Sequence, residues 1–337
     1  MLVMSDKDLS LMKTVMSMKE DALHIYLTHL LKNKFHYKNI KETKDYIIAE
    51  GDLPIYLIAH LDVVSSTNPS HLIYDEKQGI MTSLNGFGFD DRAGVWSILK
   101  LLQKDYRPHI IFTHGEESGG IGANKLATDF PDSPFEAKYM IQLDRRGDND
   151  CVFYDCDNEE FEKYIESYGF ETNWGSFTDI SILAPQWGKA AVNLSIGYSQ
   201  EHSQNEHLYI KPLYKTLKRV SKMLTDIKSA KEYEYIPLVM PYHFHYGYGG
   251  YYGDFYTEDY CDCCYKPFKM YELQDVTLLD GSVGYLCDKC IEEKTLTCTN
   301  CGEIYEVSEN NPYANCPYCD SRGEKHAKIR RYTEPSK

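Results

Sequence analysis

The chain has 337 residues, of which 42% are hydrophobic and 26% charged, a balance typical of globular rather than disordered or fibrous proteins. Its formal net charge of −15 argues against nucleic acid as the principal partner, because phosphate backbones bind positive surfaces. No apolar run is long enough to span a membrane, and the N-terminus lacks the apolar core and cleavage site of a secretory signal. We therefore expect a cytoplasmic protein.

Apolar residues at helical spacing predict one or two helices over residues 8–33, interrupted near residues 19–21. Short apolar runs then alternate with helical patterns, at 54–60, 91–102, 109–117, 138–144, 159–170 and 189–197. One apolar face over 211–227 predicts a helix that closes this part of the chain. The alternation predicts an α/β fold with a mixed, mostly parallel sheet sandwiched by helices.

The amino-acid composition changes after residue 230, which predicts a domain of residues 1–230 followed by a connector at 231–258. The connector is rich in tyrosine and glycine and has no regular period. We interpret it as a linker whose aromatic rings pack on the first domain, with a substrate-binding strip as the alternative. A cysteine-rich module at 259–323, which resembles a double zinc ribbon, and a basic tail at 324–337 complete the chain.

Five short segments that follow or precede apolar runs contain metal-ligating residue types. These are His60 and Asp62, Asp90, the pair Glu116 and Glu117, Asp144, and His202. Most of them fall just beyond a predicted strand, where the ligand-bearing loops of an open α/β sheet lie.

Each segment alone also has an ordinary structural explanation: polar strand ends, acids at a helix N-terminus, a surface glutamate pair, or a turn residue. His207 and His114 also compete with His202 for any ligand role. Together, however, the segments supply two histidines and three carboxylates as ligands. That set suits two zinc-like ions about 3.5–4 Å apart.

In their order along the chain, these segments resemble the motifs of the co-catalytic zinc exopeptidases, the superfamily of bacterial leucyl aminopeptidase, peptidase T and carboxypeptidase G. The resemblance covers roughly residues 45–228. It rests on AHLDVV (59–64), GFDDRAGV (88–95), HGEESGG (114–120), LDRRG (143–147) and EHSQNE (201–206).

The resemblance implies a zinc-exopeptidase fold and a role for each residue. It implies that His60 and Asp144 hold one ion, that Glu117 and His202 hold the other, and that Asp90 bridges them. It further implies that Asp62 orients His60 and that Glu116 is the general base that activates water. The two catalytic ions are expected to be zinc, with cobalt or manganese as alternatives.

The function implied is a metal-dependent exopeptidase, most simply an aminopeptidase acting on short peptides. The short interval between Asp144 and His202 leaves no room for the lid or dimerisation domain that many relatives insert. A related deacylase or carboxypeptidase acting on N-acylated amino acids is the nearer alternative. A binding protein whose cysteine module recruits a protein or nucleic acid is the alternative from another class.

Three residues are candidates for substrate contact. Arg145 and Arg146 follow Asp144 directly and could hold a substrate carboxylate, although a structural ion pair is the preferred interpretation. Asp179 lies in GSFTDISIL (175–183), which resembles the family's loop near the amino end of the substrate.

Four CxxC pairs near the C-terminus predict two closed sites, each with four thiolates around a structural zinc ion. The first set is Cys261, Cys264, Cys287 and Cys290, and the second is Cys298, Cys301, Cys316 and Cys319. The spacing leaves an interleaved pairing open. This module could also contact a protein partner or a second copy of the chain.

Overall fold

A computed structural model describes residues 3–64, 72–84 and 88–238 of the larger part of the chain. In the C-terminal part it describes 258–264, 266–269, 273–278, 283–300, 304–308, 311, 314–317 and 320–324. Two compact units divide the chain, Met1–Phe244 and His245–Lys337. None of the helices in these ranges is long and apolar enough to cross a bilayer. Most of the predicted connector, and all but residue 324 of the predicted basic tail, lie outside the described residues.

Seven α-helices form in the described part of the first unit. They are α1 (Asp6–Ser17), α2 (Glu20–His29), α3 (Phe89–Gln103), α4 (Ile121–Asp129), α5 (Glu159–Glu166), α6 (Asp179–Trp187) and α7 (Ile210–Asp226). A π-helical turn, Leu30–Lys34, continues α2. The break between α1 and α2 confirms the predicted interruption near residues 19–21.

Twelve short strands accompany these helices. They are β1 (Ile40–Glu42), β2 (Tyr46–Ala49), β3 (Leu53–His60), β4 (Leu72–Asp75), β5 (Ile80–Ser83), β6 (Pro108–Thr113), β7 (Met140–Arg145), β8 (Asp150–Val152), β9 (Glu171–Thr172), β10 (Ala191–Ser195), β11 (Tyr198–Ser199) and β12 (His207–Tyr209). Eight of them form the main sheet, in the order β1-β2-β6-β3-β7-β10-β8-β9. The central strands β6, β3, β7 and β10 are parallel to one another, whereas β1, β2 and β8 pair antiparallel.

The two faces of the main sheet carry separate hydrophobic clusters, because successive side chains of a strand point to opposite faces. In β3, Leu57 and Ala59 belong to the cluster that includes residues of α1, α3 and α7. Tyr56 and Ile58 belong to the other cluster, with residues of α4 and α6. Helices therefore cover both faces, which confirms the predicted α/β sandwich.

A second, antiparallel sheet has the order β11-β12-β5-β4. It joins distant parts of the sequence, since Leu208 of β12 pairs with Met81 of β5. Consequently the end of β5 lies beside the start of β12, which follows the loop that carries His202.

The second unit has its own small elements. They are β13 (Glu258–Tyr260), β14 (Pro267–Lys269), β15 (Leu273–Thr277), β16 (Val283–Cys287), α8 (Asp288–Lys294), β17 (Thr295–Cys298), β18 (Ile304–Glu306) and β19 (Gly323–Glu324). Strands β13 and β14 form a hairpin, and the other five form a sheet in the order β16-β15-β18-β17-β19.

Candidate metal centre

The candidate residues of the first unit converge because four parallel strands present their carboxyl ends at one edge of the main sheet. Strand β3 ends at His60, and β7 carries Asp144 next to its last residue. Glu116 and Glu117 follow the end of β6, and His202 lies in the loop between β11 and β12 that follows β10. Parallel topology therefore brings together residues that are far apart in the sequence.

His60, Asp90 and Asp144 form the first group that could hold a metal ion. One donor atom from each lies within 4.8 Å of the others, and all three residues are buried. Nε2 of His60 is 3.2 Å from Oδ1 of Asp90 and 3.4 Å from Oδ1 of Asp144. One imidazole nitrogen and two carboxylates make a donor set suited to a zinc-like ion.

Asp90 also belongs to a second group, with Glu117 and His202. Nε2 of His202 is 3.2 Å from Oδ2 of Asp90 and 3.0 Å from Oε2 of Glu117. The two oxygens of Asp90 thus face different histidines, as required of a carboxylate that bridges two ions.

The two competing histidines lie elsewhere. Nδ1 of His207 contacts the backbone oxygen of Asn205 at 2.8 Å, and His114 pairs with His24. Neither belongs to any metal-binding group found among the described residues.

Glu116 forms a further group of this kind with His60 and Glu117, and Asp62 stands beside these residues. Nδ1 of His60 is 3.2 Å from the backbone oxygen of Asp62 and 3.4 Å from its Oδ1. The same carboxylate accepts hydrogen bonds from the backbone N–H groups of Glu116 and Glu117, at 3.2 and 3.1 Å. Glu116 also places Oε2 4.0 Å from Nε2 of His60, so its carboxylate reaches the first group.

The backbone around Asp90 depends on residues that the sequence analysis did not single out. Glu206, which is 1% exposed, accepts hydrogen bonds from the N–H groups of Gly88 and Asp90, both at 2.8 Å. Gly88 has a φ of 108°, a conformation that glycine adopts without strain. Asp91 accepts hydrogen bonds from the N–H groups of His60 and Gly94, at 3.2 and 3.0 Å. These contacts tie the start of α3 to the end of β3.

Asp144 has three further partners. Its carboxylate accepts hydrogen bonds from Thr178 Oγ1 at 2.8 Å, Tyr198 OH at 3.1 Å and Gln142 Nε2 at 3.1 Å. The buried N-cap of α6, Thr178, thereby connects that helix to the first metal-binding group. Such contacts fix the orientation of a ligating carboxylate.

No family model and no curated protein sequence matches the chain. Among solved structures, a tripeptidase from Staphylococcus aureus has a TM-score of 0.55 and 15% identity, over 68% of this chain and all of the other. The aminopeptidase PepT from Bacillus cereus has a TM-score of 0.50 and 16% identity, over 65% of this chain and 97% of its own. A TET aminopeptidase from a marine sediment thaumarchaeon has a TM-score of 0.50 and 14% identity, over the same shares. The chain has the fold of this tripeptidase and these aminopeptidases. The resemblance seen in the sequence is therefore confirmed at the level of fold.

Within this exopeptidase fold, crowding of carboxylates shifts several pKa values. Burial, together with the charges of Asp144, Asp179 and Glu117, raises the pKa of Glu116 to about 9, although His60 opposes the shift. Burial and the charge of Asp90 raise the pKa of Asp144 to about 7. Divalent cations among these oxygens would offset the repulsion and lower both values again.

The same carboxylates raise the pKa values of the two histidines, His60 and His202, and so favour their charged forms. Burial lowers the pKa of His60, but the Asp144 charge and hydrogen bonds to Asp144, Asp62 and Asp90 raise it well above the ordinary value. Hydrogen bonds to Asp90 and Glu117 raise the pKa of His202 to about 10. This centre of the exopeptidase fold thus stabilises positive charge strongly, as a metal site must.

The three predicted substrate residues differ in exposure, from the buried Asp179 to the exposed side chain of Arg146. Asp179 is fully buried and accepts a hydrogen bond from Thr113 Oγ1 at 2.5 Å. NH2 of Arg145 donates to the backbone oxygen of Trp174 at 3.0 Å and lies 3.6 Å from Oδ2 of Asp150. NH1 of Arg146 is 2.7 Å from Oε1 of Glu201.

The second unit contains a separate group of four cysteines, Cys261, Cys264, Cys287 and Cys290, whose sulfur atoms lie within 4.8 Å of one another. From the other predicted set, Cys298 and Cys316 are buried in one small hydrophobic cluster. Cys301 and Cys319 lie outside the described residues.

Proposed function

We propose that the protein is a metal-dependent exopeptidase, specifically an aminopeptidase that hydrolyses short peptides. The observation that carries the proposal is the sharing of Asp90 between two metal-binding groups, with the carboxylate of Glu116 beside them. Two histidines and three carboxylates are the donor set expected of two zinc-like ions. The solved structures of similar fold include a tripeptidase and two aminopeptidases, which supports the same chemistry.

Each residue has a role in this proposal. His60 and Asp144 hold one ion, Glu117 and His202 hold the other, and Asp90 holds both. When bound, the ions polarise the scissile carbonyl and make water a stronger nucleophile at neutral pH. Cobalt or manganese could serve in place of zinc.

Glu116 acts as the general base and then as the general acid. Its carboxylate accepts the proton from the attacking water and passes that proton to the departing amine. The N–H groups of Glu116 and Glu117 are held by Asp62, which fixes the backbone under both side chains. Asp62 also contacts Nδ1 of His60 and thereby leaves Nε2 to face the metal-binding carboxylates.

The arginines favour an aminopeptidase over a carboxypeptidase. A carboxypeptidase needs a cation that holds the terminal carboxylate of the substrate. Arg145 and Arg146 follow the proposed ligand Asp144 directly, and both already contact acidic side chains, Asp150 and Glu201. Recognition of a substrate carboxylate would have to break those pairs.

The decisive experiment compares free and N-acetylated dipeptides and tripeptides as substrates of the zinc-, cobalt- or manganese-loaded protein. We expect hydrolysis of free peptides, and a fall in kcat of at least about 100-fold in Glu116→Gln with the metal content unchanged. Glu76→Gln, a change at an exposed glutamate of the loop between β4 and β5, is the matched control and should keep full activity. Hydrolysis confined to acetylated substrates would instead identify a deacylase or a carboxypeptidase, and no hydrolysis would refute the proposal.

We propose in addition that Cys261, Cys264, Cys287 and Cys290 hold a structural zinc ion. Four thiolates leave no coordination position open for substrate or water, so the ion would stabilise the second unit rather than take part in catalysis. The second cysteine set is proposed to hold another zinc ion on the strength of its CxxC spacing alone.

A further inference from the structure

Four titratable side chains form a row that joins the N-terminal helices to the loop after β6. We name this row, Glu42, His24, His114 and Glu20, the histidine chain. Nδ1 of His24 is 2.8 Å from Nε2 of His114, and Nδ1 of His114 bonds to Oε1 of Glu20. At the other end, Nε2 of His24 is 3.6 Å from Oε2 of Glu42. Side-chain contacts thus connect three elements: α2, β1 and the loop after β6.

The contact between the two rings limits how many protons the histidine chain can hold. Only one hydrogen fits between nitrogens 2.8 Å apart, so one ring must donate and the other must accept. Both side chains are mostly buried, with 13% exposure for His24 and 11% for His114. A second imidazolium would oppose two N–H groups and two like charges where little water screens them.

His114 is the first residue of the loop that carries the proposed base and a proposed ligand. Its backbone N–H donates to the oxygen of Asp45 at 2.9 Å, and its oxygen accepts from the N–H of Gly122 at 2.7 Å. Further along the loop, the N–H groups of Glu116 and Glu117 bind Asp62. The side chain of His114 therefore adds a connection to α2 at the start of this loop.

We propose that the histidine chain positions the loop of residues 114–120, so that α2 sets the placement of Glu116 and Glu117 in the metal centre. His24 and His114 are positioning residues in this scheme and do not touch the substrate. The inference rests on the proposed function, because it assigns importance to the placement of Glu116 and Glu117. Neither the ligand set nor the resemblance to exopeptidases requires such a chain.

The positioning should weaken in acid. The groups that face the two histidines are Asp21 and Glu20 from α2 and Glu42 from β1, with Arg92 of α3 facing Glu20. Burial, and then the charge of His114, lower the pKa of His24. An unfolded histidine takes up its proton near about pH 6.5, so the contribution of His24 is present above that pH and is lost as the pH falls through its lowered pKa.

Three substitutions on α2 test the proposal with Leu-Gly-Gly as substrate. His24→Ala removes the partner of His114, and we expect kcat to fall by about 10-fold to 100-fold with KM unchanged. His24→Asn keeps an amide near the position of Nδ1 but cannot take up a proton. It should retain most of kcat and show a smaller loss of rate than wild type between about pH 7.5 and about pH 5.5. His29→Ala is the control, because His29 is exposed on the same helix and outside the histidine chain.

Amide hydrogen exchange of residues 114–122 gives a readout that does not depend on activity. We expect exchange in His24→Ala to be about tenfold faster than in wild type or His29→Ala. Wild-type kcat and wild-type exchange in His24→Ala would overturn the proposal. If His24→Ala does not fold, the pH profile of His24→Asn decides the matter, and a loss of rate equal to that of wild type between about pH 7.5 and about pH 5.5 would overturn the proposal. If wild type hydrolyses no peptide, the proposed function fails, and hydrogen exchange alone decides whether the histidine chain positions the loop.

Discussion

The buried carboxylate of Glu206 accepts a hydrogen bond at 2.8 Å from the backbone N–H of Asp90, the residue shared by two groups that could hold a metal ion. It accepts a second hydrogen bond from Gly88, so one side chain fixes the turn into α3 from both sides of Phe89. Asp90 is therefore held through its backbone and leaves its carboxylate oxygens to face His60 and His202.

Replacement of Glu206 should weaken the fold and the metal centre together. Glu206→Ala leaves two backbone N–H groups without their buried acceptor, which costs about 1–3 kcal/mol for each group left unsatisfied. Urea unfolding and metal titration measure the two effects. Gln204→Ala, a change at an exposed residue two positions earlier, should alter neither. Unchanged metal affinity in Glu206→Ala would show that the turn does not depend on this carboxylate.

Asp62 should make the metal-free protein less stable in acid. Burial alone would raise the pKa of its carboxyl group, but His60 and the N–H groups of Glu117 and Glu116 lower it to about 2. Because the folded pKa lies below the unfolded one, this stability is present above about pH 4 and is lost as the pH falls toward the folded value.

Chelator-treated wild type should thus lose about 2 kcal/mol more unfolding free energy than Asp62→Asn between about pH 5 and about pH 2. Denaturant unfolding at a series of pH values gives the difference. Parallel curves for the two proteins would contradict the expected role of Asp62.

The proposed ligands should fall into two classes by the number of ions each one holds. Asp144→Ala and Glu117→Ala each remove a ligand of one ion, so each should lower the bound metal by about one ion per chain. Asp90→Ala removes a ligand of both and should lower it by about two. Mass spectrometric metal analysis after gel filtration provides the counts. Asp132→Ala, at an exposed position, is the control, and equal losses in all three ligand variants would refute the bridging role.

Zinc bound by the second unit should respond to different substitutions. Cys261→Ser or Cys287→Ser removes one of four thiolates from a closed site, and we expect about one zinc ion fewer per chain. Hydrolysis of Leu-Gly-Gly should not change if the ion is structural. Cys156→Ser replaces a buried cysteine of the first unit that belongs to no metal-binding group among the described residues, and it should retain all zinc. A loss of activity together with this zinc ion would contradict the separation.

The sequence predicted the sheet and the convergence of the proposed ligands because both depend on patterns of short range. His60 and Asp144 each end an apolar run, and parallel strands place such ends at one edge. The contacts of Glu206 and Thr178 could not be predicted in this way. Each reaches a residue far away in the chain, and a buried acid or hydroxyl has no hydrophobic period to reveal it. Glu206 does lie within the motif EHSQNE, which is the one signal that could have drawn attention to it.

The histidine chain is a second case of contacts that local sequence patterns do not reveal. His24 lies within a helix that the apolar spacing predicts only as a packing element, and the sequence marks His114 only as a competitor of His202 for a ligand role. Their contact joins residues 90 positions apart, and nothing in the local pattern of either segment indicates it. The role of Asp179 also stays a prediction, since the residue is fully buried beside Thr113.

The pairing of β12 with β5 has a consequence for the folding of the protein during its synthesis on the ribosome. The first metal-binding group is complete in sequence once Asp144 has been made, whereas the second needs His202, and its neighbouring strand β12 must then return to β5. Contacts of such long sequence separation form late, because their loops must close first. A nascent chain that stops before β12 would lack the strand that follows His202, so under the proposed ligand assignment the second ion would bind only after β12 has been made.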